Sequence, residues 1–242
     1  MFIPDEQTIS QIVRSNYRTA AVFKKFSINY CCSGQVNLRL ACSVNNLDYA
    51  VVARELQEAT MNKVTGKMLF NQWKIDFLTD YIINVHHAYI YETIPALESA
   101  LMSFMLGHKK KYPELEQLHS IFSKLGETLL VHNHHEEEVL FPYIKQLHLL
   151  HQRKEPNGNL FIRSFRKPLS TFQKDHEIIL QSLLQLRTCS NGFSFPGHAC
   201  TTHQVLYHQL EEFYDNILQH KYLEDNILFP RAKEIEEQIL TL

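Results

Sequence analysis

One segment of the chain occurs twice, and this internal repeat constrains the fold more than any other feature of the sequence. In each copy a histidine is followed four residues later by a glutamate, and then by Leu-Phe-Pro. The copies begin at His132 and at His220, which are 88 residues apart. Residues four apart lie on one face of an α-helix, so the histidine and glutamate of each copy can point at one position. The repeat therefore predicts two related helical halves.

Both His-Glu pairs interrupt helix faces that are otherwise apolar. The face of His132 and Glu136 also carries Leu125, Leu129, Val139 and Tyr143, and that of His220 and Glu224 carries Phe213, Ile217, Leu223, Ile227 and Leu228. Such faces point toward a core. A buried carboxylate without a partner costs on the order of several kcal/mol, and a bound metal ion would remove that cost. Glu137 and Glu138 are expected to matter far less for metal binding.

Each half also has a histidine on the preceding helical segment. His87 shares a face with Ile83, Ile90 and Ile94, and His176 shares one with Phe172, Ile179, Leu180 and Leu183. The sequence thus places four histidines and two glutamates in one predicted core. His86 competes with His87 for this role, and His134 and His135 compete with His132. The remaining histidines are interpreted as surface or loop residues: His108, His119, His148, His151, His198, His203 and His208.

The rest of the pattern is helical. Four long segments with helical period run over about residues 72–107, 113–150, 168–188 and 201–240, with Pro95 expected to kink or break the first. A loop is expected over 155–159, and no run typical of a strand occurs. We predict an all-α protein: an antiparallel four-helix bundle over residues 70–242, preceded by a small helical domain over residues 1–62.

Composition excludes several classes of partner. The net charge of −2 gives no basic field for nucleic acid or an anionic membrane. No apolar run is long enough to span a bilayer, and the first residues lack the pattern of a signal peptide.

The cysteine count is odd, at five, and two of them, Cys31 and Cys32, are adjacent. This argues against a disulfide framework and favours a reducing cytoplasm.

The predicted ligand set selects the kind of metal site. Six nitrogen and oxygen ligands exceed the four of a structural zinc site, and magnesium or calcium would not recruit four histidines. Two ions bridged by both carboxylates would each have two histidines and one oxygen from each glutamate, leaving about two of six octahedral positions open. Carboxylate-bridged iron pairs in helical bundles are the precedent. We expect two non-haem irons with an oxo or hydroxo bridge, although manganese or mixed metals fit the same ligands.

Several motifs match a known family. These are Phe26-Ser27-Ile28-Asn29-Tyr30-Cys31-Cys32-Ser33-Gly34, Glu92-Thr93-Ile94-Pro95, Asp175-His176, and the tandem His-x-x-x-Glu ending Leu228-Phe229-Pro230-Arg231-Ala232. Over nearly the whole chain the sequence resembles the iron-sulfur cluster repair di-iron proteins, also called the repair-of-iron-centres family. The resemblance implies a hemerythrin-like bundle whose ligands fall on His87, His132, Glu136, His176, His220 and Glu224.

The resemblance also implies a function. Members of the family are cytoplasmic stress proteins that restore iron-sulfur clusters damaged by nitric oxide or oxidants, by supplying iron. Damaged iron-sulfur proteins, nitric oxide and dioxygen are then the expected partners, and a homodimer is compatible with the sequence. Such a protein would be an iron donor more than a turnover enzyme. The alternatives are a nitric oxide or peroxide reductase, a hemerythrin-like binder or sensor of dioxygen or nitric oxide, and a structural zinc bundle.

Cys31 and Cys32 have two interpretations. They are either small residues that pack in the N-terminal domain or thiols that handle iron or nitric oxide. A Cys-Cys domain favours repair, since a simple carrier needs only the bundle. Cys42, Cys189 and Cys200 are interpreted as structural.

Overall fold

Helices account for all the regular structure that the computed structural model describes, which covers residues 7–16, 18–28, 30, 35–60, 69–167 and 169–241. In chain order they are α1 (Ile9–Ser15), α2 (Thr19–Lys25), α3 (Leu38–Val44), α4 (Tyr49–Thr60), α5 (75–108), α6 (114–153), α7 (Gly158–Phe165), α8 (Leu169–Cys189) and α9 (201–240). Within those residues no strand occurs, and the only β-type pairing is an isolated bridge between Thr8 and Asn37. The all-α prediction is confirmed.

The chain divides into two compact units. The first contains Met1–Gly66 and Ser190–Glu211, and the second contains Lys67–Cys189 and Glu212–Leu242. The boundary predicted from sequence, with residues 70–242 in one domain, remains a proposal. We note that Ser190–Glu211, which includes the start of α9, groups with the first unit.

The first unit is a small helical domain built on short capped helices. Thr8 and Gln11 form a capping box at the start of α1, and the side chain of Asn37 accepts a hydrogen bond from the backbone N–H of Leu40 at the start of α3. Its core joins buried residues of α1 to α4 with Val205 of the second segment. The hydroxyl groups of Ser10 and Thr201 lie 2.8 Å apart in this unit. Cys31 and Cys32 lie outside the described residues.

The second unit is the antiparallel bundle. Helix α6 packs against α5 and α8, and its C-terminal part packs against the last segment of α9. One end of the bundle is filled by a continuous apolar cluster in which Phe141 and Phe229 are buried with Ile75, Leu78 and Ile82. Burying each such side chain stabilises the fold by roughly 1.5–3 kcal/mol. This cluster therefore holds the helices together next to the predicted ligands.

Three of the bundle helices contain a single π-helical turn. The turns are Ile82–His87 in α5, Glu136–Leu140 in α6 and Glu224–Leu228 in α9. Each turn begins or ends on a predicted metal ligand. Pro142 and Pro230 follow the last two turns, at the start of the next α-helical segment. A proline cannot donate to the carbonyl four residues back, so it fits best where the α-helical hydrogen-bond register is already interrupted.

Some sequence-based expectations differ from the structure. Pro95 lies inside the α-helical segment Ala88–His108 without ending it. Helix α7 begins within 155–159, the stretch expected as a loop. It is stabilised there because Ile162 is buried in the core of the bundle. His203, expected at the surface, is buried against Tyr207, with ring centroids 4.3 Å apart. No described helix combines the length and apolar character that crossing a membrane requires.

Candidate metal centre

Six side chains converge in the middle of the bundle. They are His87 of α5, His132 and Glu136 of α6, His176 of α8, and His220 and Glu224 of α9, and all are buried. Their ligand atoms form two groups of four, each with all atoms within 4.8 Å of one another. One group joins His87 and His220, the other joins His132 and His176, and both glutamates belong to both groups. Each pair of histidines therefore combines the two halves of the sequence repeat.

Glu136 turns one carboxylate oxygen toward each histidine pair. Its Oε2 lies 3.4 Å from Nε2 of His87 and 3.9 Å from Nε2 of His220. Its Oε1 lies 3.4 Å from Nε2 of His132 and 3.8 Å from Nε2 of His176. A carboxylate divided in this way can bridge two cations.

Glu224 repeats the arrangement from the opposite half. Its Oε1 lies 2.9 Å from Nε2 of His220, and its Oε2 lies 3.1 Å from Nε2 of His176. The two glutamates thus face the same two positions from different helices. The four-residue spacing in each copy of the repeat is what puts each glutamate one turn from its histidine.

The donor atoms would be better satisfied by metal ions than by hydrogen bonds to one another. The Nε2 atoms of His87 and His220 are 3.1 Å apart, and those of His132 and His176 are 3.0 Å apart. In the described part of the chain, neither oxygen of Glu136 has a hydrogen-bond partner although both are buried. An uncompensated buried carboxylate is costly, and cations held between it and the imidazoles would remove that cost.

The pKa values of the two glutamates also indicate a site for cations. Burial raises the pKa of Glu136 well above its ordinary value, and the charge of Glu224 adds to the rise. Burial also opposes ionisation of Glu224, but the charge of His220 and the hydrogen bonds from His176 and His220 hold its pKa well below the ordinary value. Two adjacent buried carboxylates therefore resist ionising together without an added positive charge. A bound metal ion would supply it.

The surroundings shift the pKa values of the histidines in opposite directions. Burial, with the nearby charge of His220, lowers the pKa of His87 to about 3. Burial, with the charge of His176, lowers the pKa of His132 to about 3 although Glu224 opposes the shift. Burial also acts to lower the pKa of His176, but hydrogen bonds to Asp225 and Glu224 outweigh it and raise the value to about 9. Neutral imidazoles such as those of His87 and His132 are ready to bind a metal.

Two outer carboxylates orient the histidines that come first in each half. Nδ1 of His87 lies 2.7 Å from Oε1 of Glu137, and Nδ1 of His176 lies 2.8 Å from Oδ1 of Asp225. A carboxylate accepts here, so each imidazole donates from Nδ1 and leaves Nε2 directed to the centre. Sequence reasoning missed both residues. The available signal was an acidic residue directly after the glutamate in each copy of the repeat.

In each half, the phenylalanine of the Leu-Phe-Pro segment packs on the histidine that the outer carboxylate supports. Phe141 stacks on His87 with ring centroids 5.6 Å apart, and Phe229 stacks on His176 at 5.7 Å. The interplanar angles are 19° and 3°. The recurring phenylalanines therefore fix ring orientation by packing.

The competing histidines take other positions. His134 and His135 are exposed, and neither belongs to a ligand group. His86 is buried, but its Nδ1 lies 3.2 Å from Oδ1 of Asn216, and its ring stacks on His220 with centroids 5.9 Å apart. His86 is therefore a neighbour of a candidate ligand and belongs to neither group.

A helical bundle in which two glutamates each face two pairs of buried histidines defines a class of metal-binding protein. The chain belongs to the hemerythrin HHE cation-binding domain family, which it matches over residues 79–232. Residues 5–60 match a domain of unknown function, DUF542. The hemerythrin-like fold and the small N-terminal domain expected from the sequence are confirmed.

Full-length relatives extend the likeness to both parts of the chain. The iron-sulfur cluster repair protein YtfE of Escherichia coli O157:H7 is 28% identical over 230 residues, which cover 94% of this chain and 96% of the relative. The protein of that name in Escherichia fergusonii shows the same identity and coverage. The family resemblance seen in the motifs is thereby confirmed.

Proposed function

We propose that this protein repairs damaged iron-sulfur clusters in the cytoplasm by donating iron from a pair of irons. The observation that carries the proposal is the similarity to proteins named for this repair, which extends over 94% of the chain. It includes the N-terminal domain as well as the bundle. A protein that only binds a small ligand would need the bundle alone.

The geometry supports two ions at this centre. We propose that His87 and His220 hold one ion, that His132 and His176 hold the other, and that Glu136 and Glu224 bridge them. Each glutamate directs its two oxygens at different histidine pairs, as two bridged ions require. Bound iron would supply redox chemistry and open coordination positions, which a structural zinc site does not offer.

A second candidate function is binding or reduction of nitric oxide or dioxygen at the same centre. The match to the hemerythrin HHE family favours it. In both functions the chain's own residues do the same work: the imidazoles and carboxylates hold the metal, while Phe141 and Phe229 pack against two of the imidazoles. The functions differ in whether iron leaves the protein.

The test is recovery of an enzyme whose iron-sulfur cluster has been damaged by nitric oxide. We expect recovery with the iron-loaded protein and little with the metal-free protein or an equal amount of free iron. Recovery no better than that given by free iron would contradict the proposal. Nitric oxide consumption measured in parallel would then favour the second function.

The same assay separates the N-terminal thiols from the metal centre. We propose that Cys31 and Cys32 assist iron transfer, so replacing both with serine should leave iron content unchanged and markedly lower cluster recovery. Cys189→Ser is the matched control, since Cys189 is a free thiol whose Sγ lies 3.6 Å from the carbonyl oxygen of Glu114 in the bundle. Equal recovery by the double variant and the control would remove the thiols from the mechanism.

A further inference from the structure

The second unit has a pocket whose lining includes none of the candidate metal ligands. It has a volume of about 410 Å³ and lies between the start of α8 and the last turns of α9. Three of its lining side chains are cationic and one is a carboxylate, which gives the pocket a formal charge of +2. Its polar lining comprises Arg166, Lys167, Ser170, Gln173, Lys233 and Glu236.

The single carboxylate of the pocket is already satisfied by the protein. Glu236 is only 4% exposed, and its Oε1 accepts a hydrogen bond from the hydroxyl of Tyr143. Its Oε2 accepts another from Nη2 of Arg166 at 2.7 Å. The side chain of Arg166 is nevertheless 59% exposed, so most of its five N–H donors remain available. Glu236 therefore holds the guanidinium group in place at the pocket without occupying it.

The other donors of the pocket are also available to a ligand. Within the described residues, the side chains of Lys167, Ser170 and Gln173 make no hydrogen bond or ion pair with the protein. The ammonium group of Lys233 has one distant contact, 4.0 Å from Oε1 of Glu237. An anion in the pocket could therefore receive hydrogen bonds from several side chains that have no strong partner of their own.

The start of α8 adds to the attraction for an anion. This helix runs for 21 residues from Leu169, and its first turn contains no acidic residue. The backbone N–H groups of a first turn lack partners within the helix, and the helix dipole is positive at that end. A negatively charged ligand beside Ser170 would be stabilised by both effects.

The sequence around this pocket is locally basic although the chain as a whole is not. Residues 151–167 contain five arginines and lysines and one acidic residue, Glu155, whereas the net charge of the whole chain is −2. The metal centre does not account for this excess, because its ligands lie outside 151–167. Two cations of this stretch, Arg166 and Lys167, line the pocket.

We propose that this pocket binds a small phosphate ester. A phosphate monoester carries a charge of about −1.5 to −2 near pH 7, which matches the +2 of the pocket. Its oxygens can accept from a guanidinium group, two ammonium groups, a hydroxyl group and the helix N–H groups at once. A single carboxylate has half the charge and only two oxygens.

The dimensions of the pocket restrict what carries the phosphate. A volume of about 410 Å³ exceeds that of a phosphate group, so part of the ester fits inside as well. None of the described residues that line the pocket is aromatic, so no lining ring offers a stacking face to a nucleobase. A short polar group, such as glycerol or a sugar, suits the serine and glutamine of the lining.

The test is calorimetric titration of the full-length, iron-loaded protein at low ionic strength with glycerol 3-phosphate, inorganic phosphate and AMP. We expect one glycerol 3-phosphate per chain, bound at least as tightly as inorganic phosphate and no more weakly than AMP. Failure of glycerol 3-phosphate to bind would overturn the proposal. Binding of AMP tenfold tighter than glycerol 3-phosphate would also overturn it, because the base would then contribute to recognition.

Two lysine variants locate the bound ester. Lys167→Gln and Lys233→Gln each remove one charged donor, so each should weaken binding about tenfold or more. Lys174→Gln is the matched control, because Lys174 is an exposed lysine of α8 that does not line the pocket. Affinity unchanged in both pocket variants would place the ester elsewhere, for example at the metal centre, and would overturn the proposal.

A third variant separates loss of the site from loss of the fold. Ser170→Asp puts a negative charge into the pocket, so glycerol 3-phosphate binding should be abolished. The same charge lies in the first turn of α8, where it favours the helix, so the melting temperature without ligand should be unchanged or higher. Iron content should stay at the parental level, since no metal ligand changes. A Ser170→Asp protein that binds the ester as tightly as the parent would contradict the proposal.

Discussion

At the scale of single residues, the centre depends on charge compensation. Glu136 and Glu224 are both fully buried within reach of four imidazoles. Each carboxylate belongs to both ligand groups, so losing one would weaken both metal positions together. The outer carboxylate of Glu137 contacts one imidazole only. Losing it should therefore lower the metal content less than losing Glu136 or Glu224.

Replacing a shared glutamate should therefore remove most of the metal. We expect Glu136→Ala and Glu224→Ala each to lower iron below one ion per chain, whereas Glu138→Ala keeps the parental content. Glu137→Ala should fall between them, because it loses the hydrogen bond to Nδ1 of His87. Elemental analysis of the purified variants measures this series. Full loading of both shared-glutamate variants would refute the bridging assignment.

The buried histidines also predict how the metal-free protein responds to pH. Burial holds the pKa of His87 and His132 at about 3, below the ordinary value of 6.5. Between pH 6.5 and 3 the unfolded chain binds protons that the folded chain does not, so these residues stabilise the fold above pH 6.5, and that contribution is lost as the pH falls toward 3. His176, raised to about 9, stabilises the fold below pH 6.5 and loses that contribution as the pH rises through 9.

Urea unfolding of the metal-free protein should accordingly give its highest midpoint near pH 6.5. Midpoints at pH 5 and at pH 9 are expected to be lower, for opposite reasons. A midpoint that stays constant from pH 6.5 to 5 would contradict the burial of neutral His87 and His132.

At the scale of elements, the π-helical turns place the ligands. Periodicity in the sequence predicted the long helices to within a few residues, as in 201–240 for α9. It did not reveal the π-helical turns, because each turn shifts the apolar face at one point only and the segments on either side keep the ordinary helical period. Glu137 and Asp225 were missed for the same reason: their direction depends on a local register that only the backbone shows. Helix α7 was missed because the turn-forming residues Pro156, Asn157 and Gly158 lie at its start.

Removing the extra residue of one turn tests this view. Deleting Glu138 should let 136–140 relax toward regular α-helix, turning the carboxylates of Glu136 and Glu137 away from their present positions. We expect iron below one ion per chain with thermal stability of the metal-free protein unchanged or higher. The point variant Glu138→Ala, which keeps the turn, serves for comparison. Full iron content after the deletion would mean that the turn is dispensable.

At the scale of the whole molecule, the division into units was only partly accessible to sequence. The candidate ligands all fall in the second unit, as the motifs predicted, but Ser190–Glu211 groups with the first unit. Val205 lies in the first unit's core cluster. The return of the chain to an earlier unit leaves no local signal in the sequence.

A chain beginning at residue 70 should therefore keep its metal and lose stability. All six candidate ligands remain, so two irons per chain are expected. Ser190–Glu211 loses the rest of its unit, and exposure of Val205 alone costs roughly 1.5–3 kcal/mol. Iron content and the urea midpoint of the truncated and full-length proteins measure the two effects. A truncated chain that folds but binds no iron would contradict the assignment of the site to the bundle.

The central claim is that four histidines and two glutamates hold a pair of irons. It is tested most directly by elemental analysis of the natively purified full-length protein. The account predicts two irons per chain and no stoichiometric zinc. One metal ion per chain, or zinc in place of iron, would contradict it.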